Sequence, residues 1–250
     1  MLKTSPIGDL IIELSEIDST NNYAMRLINE GMAEHGMTIR ADFQTNGKGQ
    51  HGNVWQAQES KNLLCSIILD THGFQLEKQF LLNTMACLAV AETLVQQYFL
   101  QDVSIKWPND IYAGKRKIAG ILIENQIRGI TWSHAVIGIG LNINQNNFED
   151  LNRATSISIE TNKQFKIKQV NKVLLKWINI YFQKFSQNET DLLKHYNQLL
   201  LHVGEEINFK RNFEYFKGKL LGVNADGRIE IEINSKIKKF QHREIELILS

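Results

Sequence analysis

The ten residues from Asn46 to Trp55, NGKGQHGNVW, contain the G-x-G-x-x-G spacing of a dinucleotide-binding turn. That interpretation requires a preceding strand, an acidic residue ~20 residues later and a helix that begins within the glycine run. A strand is predicted over residues 37–44, and Asp70 stands near the required spacing. The helix is missing, because residues 53–62 offer only Val54, Trp55 and Ala57 as apolar positions and no second apolar turn to pack on a sheet. We therefore do not expect a nicotinamide site here.

The segment that follows the glycine loop predicts a second strand, so the arrangement is strand–loop–strand and not strand–turn–helix. Residues 62–70, NLLCSIILD, form an apolar run typical of a strand buried on both faces. Glycines in such a loop allow several backbone N–H groups to point at one anion, and Lys48 would neutralise it. A flexible surface loop anchored by a buried Trp55 is an equally open interpretation at this point.

The rest of the first 203 residues predicts a mixed sheet covered by helices. Residues 76–99 have apolar side chains at helical spacing, which predicts a long amphipathic helix against the sheet. Residues 145–164 are mostly polar, which predicts a mobile surface segment. Further strands are predicted at 10–14, 103–107, 111–112, 117–125 and 131–144. Further helices are predicted at 167–186, at 189–201 and within residues 18–31, where Asp18, Ser19 and Thr20 can each be the N-cap and Gly31 the stop.

The pattern changes from Gly204 onwards. Short alternating strands with frequent turns follow, including a tight-hairpin signal at Asp226-Gly227. We predict two units, residues 1–203 and a small antiparallel, β-barrel-like unit at 204–250. The fold class is therefore α+β.

Composition excludes several classes of function. Apolar residues make up 43% and charged residues 22% of the 250, and the formal net charge is +1, so no global charge favours nucleic acid or a membrane surface. Cys65 and Cys87 lie in apolar runs, which predicts buried free thiols and a reducing cytoplasm. No signal peptide and no apolar run of ~20 residues is found. The seven histidines lack metal-ligand spacing, and no metal site is assigned.

Two further motifs carry polar groups at ends of predicted elements. In KWPND, residues 106–110, Pro108 stops a strand and Asn109 and Asp110 follow it, which suits either a simple turn or a ligand site. Lys117 is the first residue of an apolar strand, and it is either a charge at the edge of the sheet or a cation directed into a pocket. Gly120 leaves room for a ligand beside that strand.

The second motif, Ser19-Thr20-Asn21, supplies hydroxyls and an amide at a helix N-terminus, and Gln44 adds another amide just before the glycine loop. These groups either cap the helix or bind an anion or polar head group. No covalent nucleophile motif is found in the chain. The chain thus offers cations, amides and glycines but no nucleophile. These groups suit a protein that binds a phosphate or an anhydride and lets two bound reactants meet.

Together these pieces resemble the biotin protein ligases. The matching motifs occur in the same order: DSTNNYA at 18–24, ADFQTNGKGQHGNVW at 41–55, KWPNDIY at 106–112, KIAGILIE at 117–124 and VIGIGLNIN at 136–144. The resemblance implies a class II synthetase-like catalytic domain, with a mixed sheet and helices on one side, and a small C-terminal SH3-like β-barrel. The C-terminal part matches in position and pattern only.

The resemblance also implies a two-step reaction. Biotin's carboxylate attacks the α-phosphate of ATP, with Mg²⁺, to give biotinyl-5′-AMP and pyrophosphate. The ε-amine of one lysine on a biotin carboxyl carrier domain then attacks the mixed anhydride and releases AMP. Only nine residues precede the first predicted strand, so we expect no DNA-binding module and no operator binding. We expect a cytoplasmic enzyme, and the sequence leaves a homodimer open.

Carried over to matching positions, the resemblance implies a role for each motif residue. The residues implied to bind biotin are Ser19, Thr20, Asn21, Gln44, Gly47, Lys48, Lys117, Gly120 and Leu122. The residues implied to bind ATP are Gly47, Lys48, Gln50, Trp55, Asn109, Lys117 and Asn142. Lys48, Lys117 and Asp110 are the implied catalytic residues. Asp110 either orients the site or helps to deprotonate the incoming lysine.

Two alternatives remain at this stage. A lipoate–protein ligase or octanoyltransferase would share the fold and the carrier-lysine chemistry. A non-catalytic protein that only sequesters biotin would need the pocket without the cations. Pyrophosphate release on addition of biotin and ATP distinguishes catalysis from binding alone.

The glycine loop departs from the family's G-R-G-R-x-G-R-x-W pattern, because Lys48, Gln50 and Asn53 stand where arginines are usual. Lysine keeps a charge but loses bidentate phosphate geometry, and the other two positions lose the charge. We predict that Gln50→Arg retains the adenylate better and biotinylates fewer bystander amines than wild type. The measurement is biotin incorporation into a non-cognate protein, and equal or lower leakage from wild type contradicts the prediction.

Overall fold

A computed structural model of the chain describes residues 6–148, 153–187 and 189–248, and its larger sheet has seven strands. These strands are β1 (Ile11–Ile17), β2 (Thr38–Gln44), β3 (Asn62–Asp70), β4 (Val103–Lys106), β5 (Asp110–Ala113), β6 (Arg116–Arg128) and β7 (Thr131–Asn142). Their order is β1-β2-β3-β7-β6-β5-β4, with β1 and β2 parallel and all other neighbours antiparallel. The predicted mixed sheet is confirmed.

The central strand β3 shows why the sheet is covered on both faces. Alternate residues of a strand point to opposite sides. Cys65 and Ile67 pack into the larger core, whereas Ile68 packs into a second cluster with Ala24 and Leu27. The continuous apolar run therefore reflects burial on both sides, as predicted.

The helices lie on the two faces unequally. They are α1 (Thr20–Asn29), α2 (Gln79–Glu92), α3 (Ile157–Thr161), α4 (Ile167–Gln187) and α5 (Glu189–Gln198). The helices α2, α4 and α5 pack together on the side of the larger core, so the expectation of helices on one side holds for these three and fails for α1. The helix α1 lies on the opposite face, against β2, β3 and β7. Within the described ranges, no helix is both long and apolar enough to cross a membrane.

Helix α2 differs from the predicted amphipathic helix. Residues 81–91 include an almost unbroken buried stretch, because the sheet covers one side while α4 and α5 cover the others. The helix is preceded by a 3₁₀ turn at Leu76–Lys78 and continues into a π-helical turn at Thr93–Gln97. Cys87 of α2 and Cys65 are both buried free thiols, as predicted, and burial raises the pKa of Cys65 to about 12.

The C-terminal unit is a five-stranded antiparallel sheet. Its strands are β8 (Glu206–Arg211), β9 (Glu214–Val223), β10 (Ile229–Ile233), β11 (Lys236–Phe240) and β12 (Glu246–Ile248), in the order β11-β10-β9-β8-β12. The turn at Gly227 joins β9 to β10, as predicted. The predicted fold class is confirmed.

This sheet packs directly against the larger unit. The Trp107 indole Nε1 donates to the Gly227 carbonyl at 3.0 Å, and Asn197 exchanges hydrogen bonds of 2.9 and 2.8 Å with the backbone of Val223. Apolar side chains of both units, such as Leu200 and Phe209, belong to one continuous core. The predicted division at 203/204 falls in the connection between α5 and β8.

The expectation of a mobile surface segment at 145–164 is wrong for its second half. Thr155 and Ile157 are fully buried, and the Thr155 N–H donates to the Lys117 carbonyl at 2.9 Å. Burial of Ile157 in the larger core holds the segment in place, although its neighbours are polar. Residues 149–152 lie outside the described ranges.

We predict that Tyr196→Phe lowers the free energy of unfolding by about 1 kcal/mol. Tyr196 is fully buried, and its hydroxyl donates to the Pro108 carbonyl at 2.8 Å while its ring packs edge-on against Phe80. The substitution removes the hydrogen bond and keeps the ring. Urea unfolding measures the change, with exposed Tyr215→Phe as the control; equal midpoints for the two variants contradict the assignment.

Candidate functional site

A cavity of about 260 Å³ lies between the start of α1, the glycine loop, the turn after β4 and the strands β6 and β7. From the first part of the chain it is lined by Ser19, Thr20, Asn21, Gln44, Lys48 and Gln50. From the later part it is lined by Trp55, Asn109, Asp110, Lys117, Gly120 and Leu122. Twelve of the fourteen residues predicted for the site therefore meet in one place, although they are far apart in sequence.

One end of the cavity is a neutral hydrogen-bonding pocket. The Gln44 side-chain oxygen accepts from the Thr20 backbone N–H at 2.8 Å and from its hydroxyl at 3.0 Å. The Ser66 hydroxyl lies 2.7 Å from the Thr20 hydroxyl and 2.6 Å from the Asn21 side-chain oxygen. Ser19 is the N-cap of α1 but makes no side-chain capping hydrogen bond. These groups give this end of the cavity a polar, uncharged lining.

The glycine loop forms a short hairpin and not the start of a long helix. The Gly49 N–H donates to the Asn53 carbonyl at 2.7 Å, and the Trp55 N–H donates to the Gly47 carbonyl at 2.9 Å. A three-residue 3₁₀ turn at Gln50–Gly52 closes the hairpin. This geometry confirms strand–loop–strand and rules out the dinucleotide fingerprint. Gly47 is buried behind Trp55 and does not line the cavity.

Trp55 lies directly on the sheet because the strands beneath it carry glycine. A Cβ atom at Gly140 would lie 2.4 Å from the Trp55 ring, and one at Gly120 would lie 3.0 Å from it. Real Cβ atoms do not approach so closely, so any larger residue at 140 requires the ring to move. The Lys117 ammonium lies 5.5 Å from the centroid of the same ring, within the range of a cation–π contact.

Two ion pairs supply the charges of the site. The Lys117 ammonium lies 2.6 Å from the Asp110 carboxylate, and the Lys48 ammonium lies 3.1 Å from the Glu124 carboxylate. Lys106 lines the cavity as a third cation. Burial, with a further contribution from the Asp110 charge, raises the pKa of Tyr112 to about 12, so Tyr112 is a neutral phenol. The arrangement concentrates ammonium groups where an anion would enter.

The turn after β4 is anchored from three elements. The Pro108 carbonyl accepts from the Asn83 side chain at 2.8 Å and from the Tyr196 hydroxyl. The Asn109 side-chain amide donates to the Ile121 carbonyl of β6, and the Ile121 N–H donates back to the Asn109 carbonyl at 3.1 Å. Asn109 lines the cavity while its amide N–H is bound to the neighbouring strand, so part of its role is structural.

Asn142 does not line this cavity. Its amide nitrogen donates to the Thr155 carbonyl at 3.0 Å, at the end of β7. Its side-chain oxygen is buried and has no hydrogen-bond partner within the part of the chain that the structure describes. A buried oxygen of this kind lacks the donor that such atoms normally have.

Ser66, Glu124 and His242 are among the residues at or beside the cavity that were not predicted from the sequence, as is Lys106. Ser66 was detectable as the lone hydroxyl in an apolar strand, and Glu124 ends the KIAGILIE motif. His242 lines the cavity from the C-terminal unit and packs edge-on against Trp107 at 5.3 Å between ring centroids. No local pattern marks His242, because its place at the cavity depends on how the second sheet packs against the first.

The chain shows clear similarity to known proteins. A family model described as the biotin/lipoate A/B protein ligase family matches residues 14–142. The bifunctional ligase/repressor BirA of Bacillus subtilis is 31% identical over 251 residues, covering 98% of this chain and 76% of the relative. The biotin–protein ligase of Homo sapiens is 28% identical, covering 92% of this chain and 33% of its own length.

A solved structure gives the same result at the level of the fold. The biotin protein ligase from Aquifex aeolicus in complex with biotin and ATP superposes with a TM-score of 0.82 at 31% identity. The match covers 97% of this chain and 100% of that one. Both sheets are therefore part of the similarity, including the C-terminal one.

We predict that Gly140→Ala displaces Trp55 and loosens the glycine loop. The new methyl group would occupy the space of the indole ring, so the loop hydrogen bonds that depend on this anchor would open more often. Hydrogen exchange of the amides of residues 46–55 measures the effect, with the amides of β8 and β9 as the internal reference. Unchanged protection of the loop contradicts the prediction.

Proposed function

This chain belongs to the biotin/lipoate A/B protein ligase family, and we propose that it activates biotin with ATP and transfers it to a lysine of a carrier domain. The observation that carries the proposal is a single cavity with a neutral hydrogen-bonding pocket at Thr20 and Gln44 and the ammonium groups of Lys48 and Lys117. This pairing suits a ligand with an uncharged polar ring and a carboxylate, which is the chemistry of biotin.

The first half-reaction joins two anions. Biotin's ureido ring would exchange hydrogen bonds with Ser19, Thr20 and Gln44, and its aliphatic chain would lie along Leu122 and Gly120. A carboxylate oxygen then attacks the α-phosphorus of ATP, the bond from phosphorus to the bridging oxygen breaks, and pyrophosphate leaves. Carboxylate and triphosphate repel each other, so Lys117 and Lys48 lower the barrier by neutralising charge where they meet.

The nucleotide would lie beside Trp55 and the end of β7. The buried side-chain oxygen of Asn142 supports this placement, because the exocyclic amine of adenine is a donor of the kind that it needs. Gln50 and Asn109 would contribute further polar contacts from the loop and from the turn. The indole of Trp55 would exclude water from the mixed anhydride.

The second half-reaction requires a neutral amine. The carrier lysine releases a proton to solvent, its nitrogen attacks the acyl carbon, and the bond from that carbon to the phosphate oxygen breaks. AMP leaves, and the nitrogen gives up a second proton to solvent to form the amide. We assign Asp110 an orienting role in the first place, because its carboxylate is engaged by Lys117 at 2.6 Å. Held in this way, Lys117 would face the α-phosphate in both steps, as the group attacked in the first and as part of the leaving AMP in the second.

Mg²⁺ is expected to arrive with ATP. In the described ranges, no three His, Cys, Asp or Glu side chains group as ligands for a metal ion. Mg²⁺ usually keeps several waters and binds substrate phosphates with one or two carboxylates. We therefore assign no protein-built metal site. A cytoplasmic location, a homodimer and the division at residue 203/204 stay predictions.

Titration with biotin and with lipoate, each in the presence of ATP, tests the choice of substrate. We expect tight binding of biotin and weak or no binding of lipoate, because the polar ring of biotin uses the pocket of Thr20 and Gln44. Lipoate has no ureido group, so it would cover these polar groups without offering them hydrogen bonds in exchange for those they make to water. Preferential binding of lipoate would reassign the chain to the other branch of the family.

We predict that Lys117→Gln lowers the rate of biotin-dependent pyrophosphate release by about 10²-fold, because a preorganised cation is lost from the transition state. Lys115→Gln is the matched control: it lies in the same hairpin but is exposed and does not line the cavity. Adding a biotin carrier domain then tests the transfer step. A rate for Lys117→Gln equal to that of the control contradicts the assigned role.

A further inference from the structure

Glu124 of β6 joins two parts of the site that the sequence leaves separate. One carboxylate oxygen accepts from the side-chain amide of Asn21 at 2.7 Å, and the other accepts from the Lys48 ammonium at 3.1 Å. Asn21 is buried beside the neutral pocket, and Lys48 lies on the glycine loop. Glu124 itself does not line the cavity, so it acts from outside it.

The Asn21 side of this bridge is rigid. The Asn21 oxygen also receives the Ser66 contact, so both ends of its amide are engaged. A Cβ atom at Gly138 would lie 2.3 Å from the same oxygen, so the strand beneath leaves just enough room for Asn21. One oxygen of Glu124 is thereby bound to a fixed donor, and the other is available to hold a mobile partner.

The Lys48 side chain is flexible, and its ion pair with Glu124 restricts its orientation. Lysine presents a compact charge on a flexible stem and lacks the planar fork with which arginine holds a phosphate. An ammonium has three donors, and only one is needed for Glu124, so two can point at an anion in the cavity. The Glu124 side chain is 30% exposed, which places the pair partly out of solvent, where charge–charge contacts are less screened.

We propose that Glu124 is a positioning residue that fixes Lys48 and keeps the glycine loop closed over the acyl-adenylate. It couples the polar-ring pocket to the loop through Asn21, and it supplies the orientation that a lysine in this place lacks. The proposal rests on the proposed function for its chemical consequence, slower escape of biotinyl-AMP. Its structural consequence, a protected loop, is independent of any chemistry.

The test compares Glu124→Gln with Glu230→Gln. The first variant keeps an acceptor for Asn21 and loses the charge that holds Lys48. Glu230 is a matched control, because its side chain is 27% exposed and pairs with Lys239 at 2.8 Å, but it lies in the C-terminal sheet. Hydrogen exchange of residues 46–55 is measured without ligand. Escape of the adenylate is measured as biotin transferred to a bystander protein per pyrophosphate released.

For Glu124→Gln we expect loop exchange and adenylate escape to rise roughly five- to tenfold, the range for loss of a partly buried charged contact. Glu230→Gln should match wild type in both. Biotin affinity should change little, because the pocket of Thr20 and Gln44 is untouched. Wild-type values for Glu124→Gln in both measurements overturn the proposal.

A double-mutant cycle with Lys48→Met separates positioning from general loss of structure. If Glu124 acts through Lys48, its substitution has no further effect on loop exchange in the Lys48→Met background. An undiminished effect in that background overturns the proposal. If Glu124→Gln does not fold, Lys48→Met alone must show the faster exchange, and a protected loop refutes the coupling. Absence of pyrophosphate release from wild type would refute the proposed function and leave the exchange result standing.

Discussion

The contact between Trp55 and the bare backbone of β6 and β7 is the constraint on which the site depends. Glycine at 120 and 140 lets the indole ring rest on the strands, and the ring in turn places the loop that carries Lys48. Glycine at 138 does the same for Asn21 on the next part of β7. Because protein interiors are closely packed, a single methyl group added to a strand beneath the cavity would displace the loop above it.

Two of the three cations of the site are held in ion pairs. Lys117 is paired with Asp110 and Lys48 with Glu124, and each carboxylate is attached to a strand of the large sheet. A paired ammonium is held in one geometry before the ligand arrives, so less reorganisation is needed when the phosphate binds. The two carboxylates also limit the net positive charge of the cavity, which tempers non-selective attraction of anions.

Most of the fold and twelve residues of the cavity lining could be predicted from the sequence, because the relevant signals are local. The apolar run at 62–70 and the polar residues after Trp55 were enough to predict strand–loop–strand. Twelve of the predicted site residues line the cavity, and they could be predicted because each belongs to a short motif that is recognisable in the sequence. His242, Glu124 and the buried Ile157 were missed because their roles depend on tertiary packing. The full burial of α2 was missed for the same reason, since α4 and α5 follow it much later in the chain.

The continuous core shared by the two sheets has a consequence for how the protein loses its structure. Leu200, Phe209 and Leu220 belong to the same apolar cluster as the strands beneath the cavity, and Trp107 donates to Gly227 across the junction. Units that share a core melt together, so heat should produce one cooperative transition in place of two. The cavity therefore cannot outlast the C-terminal sheet on heating. A substitution that destabilises this small sheet should also lower the temperature at which the cavity is lost, although almost all residues of the cavity belong to the other unit.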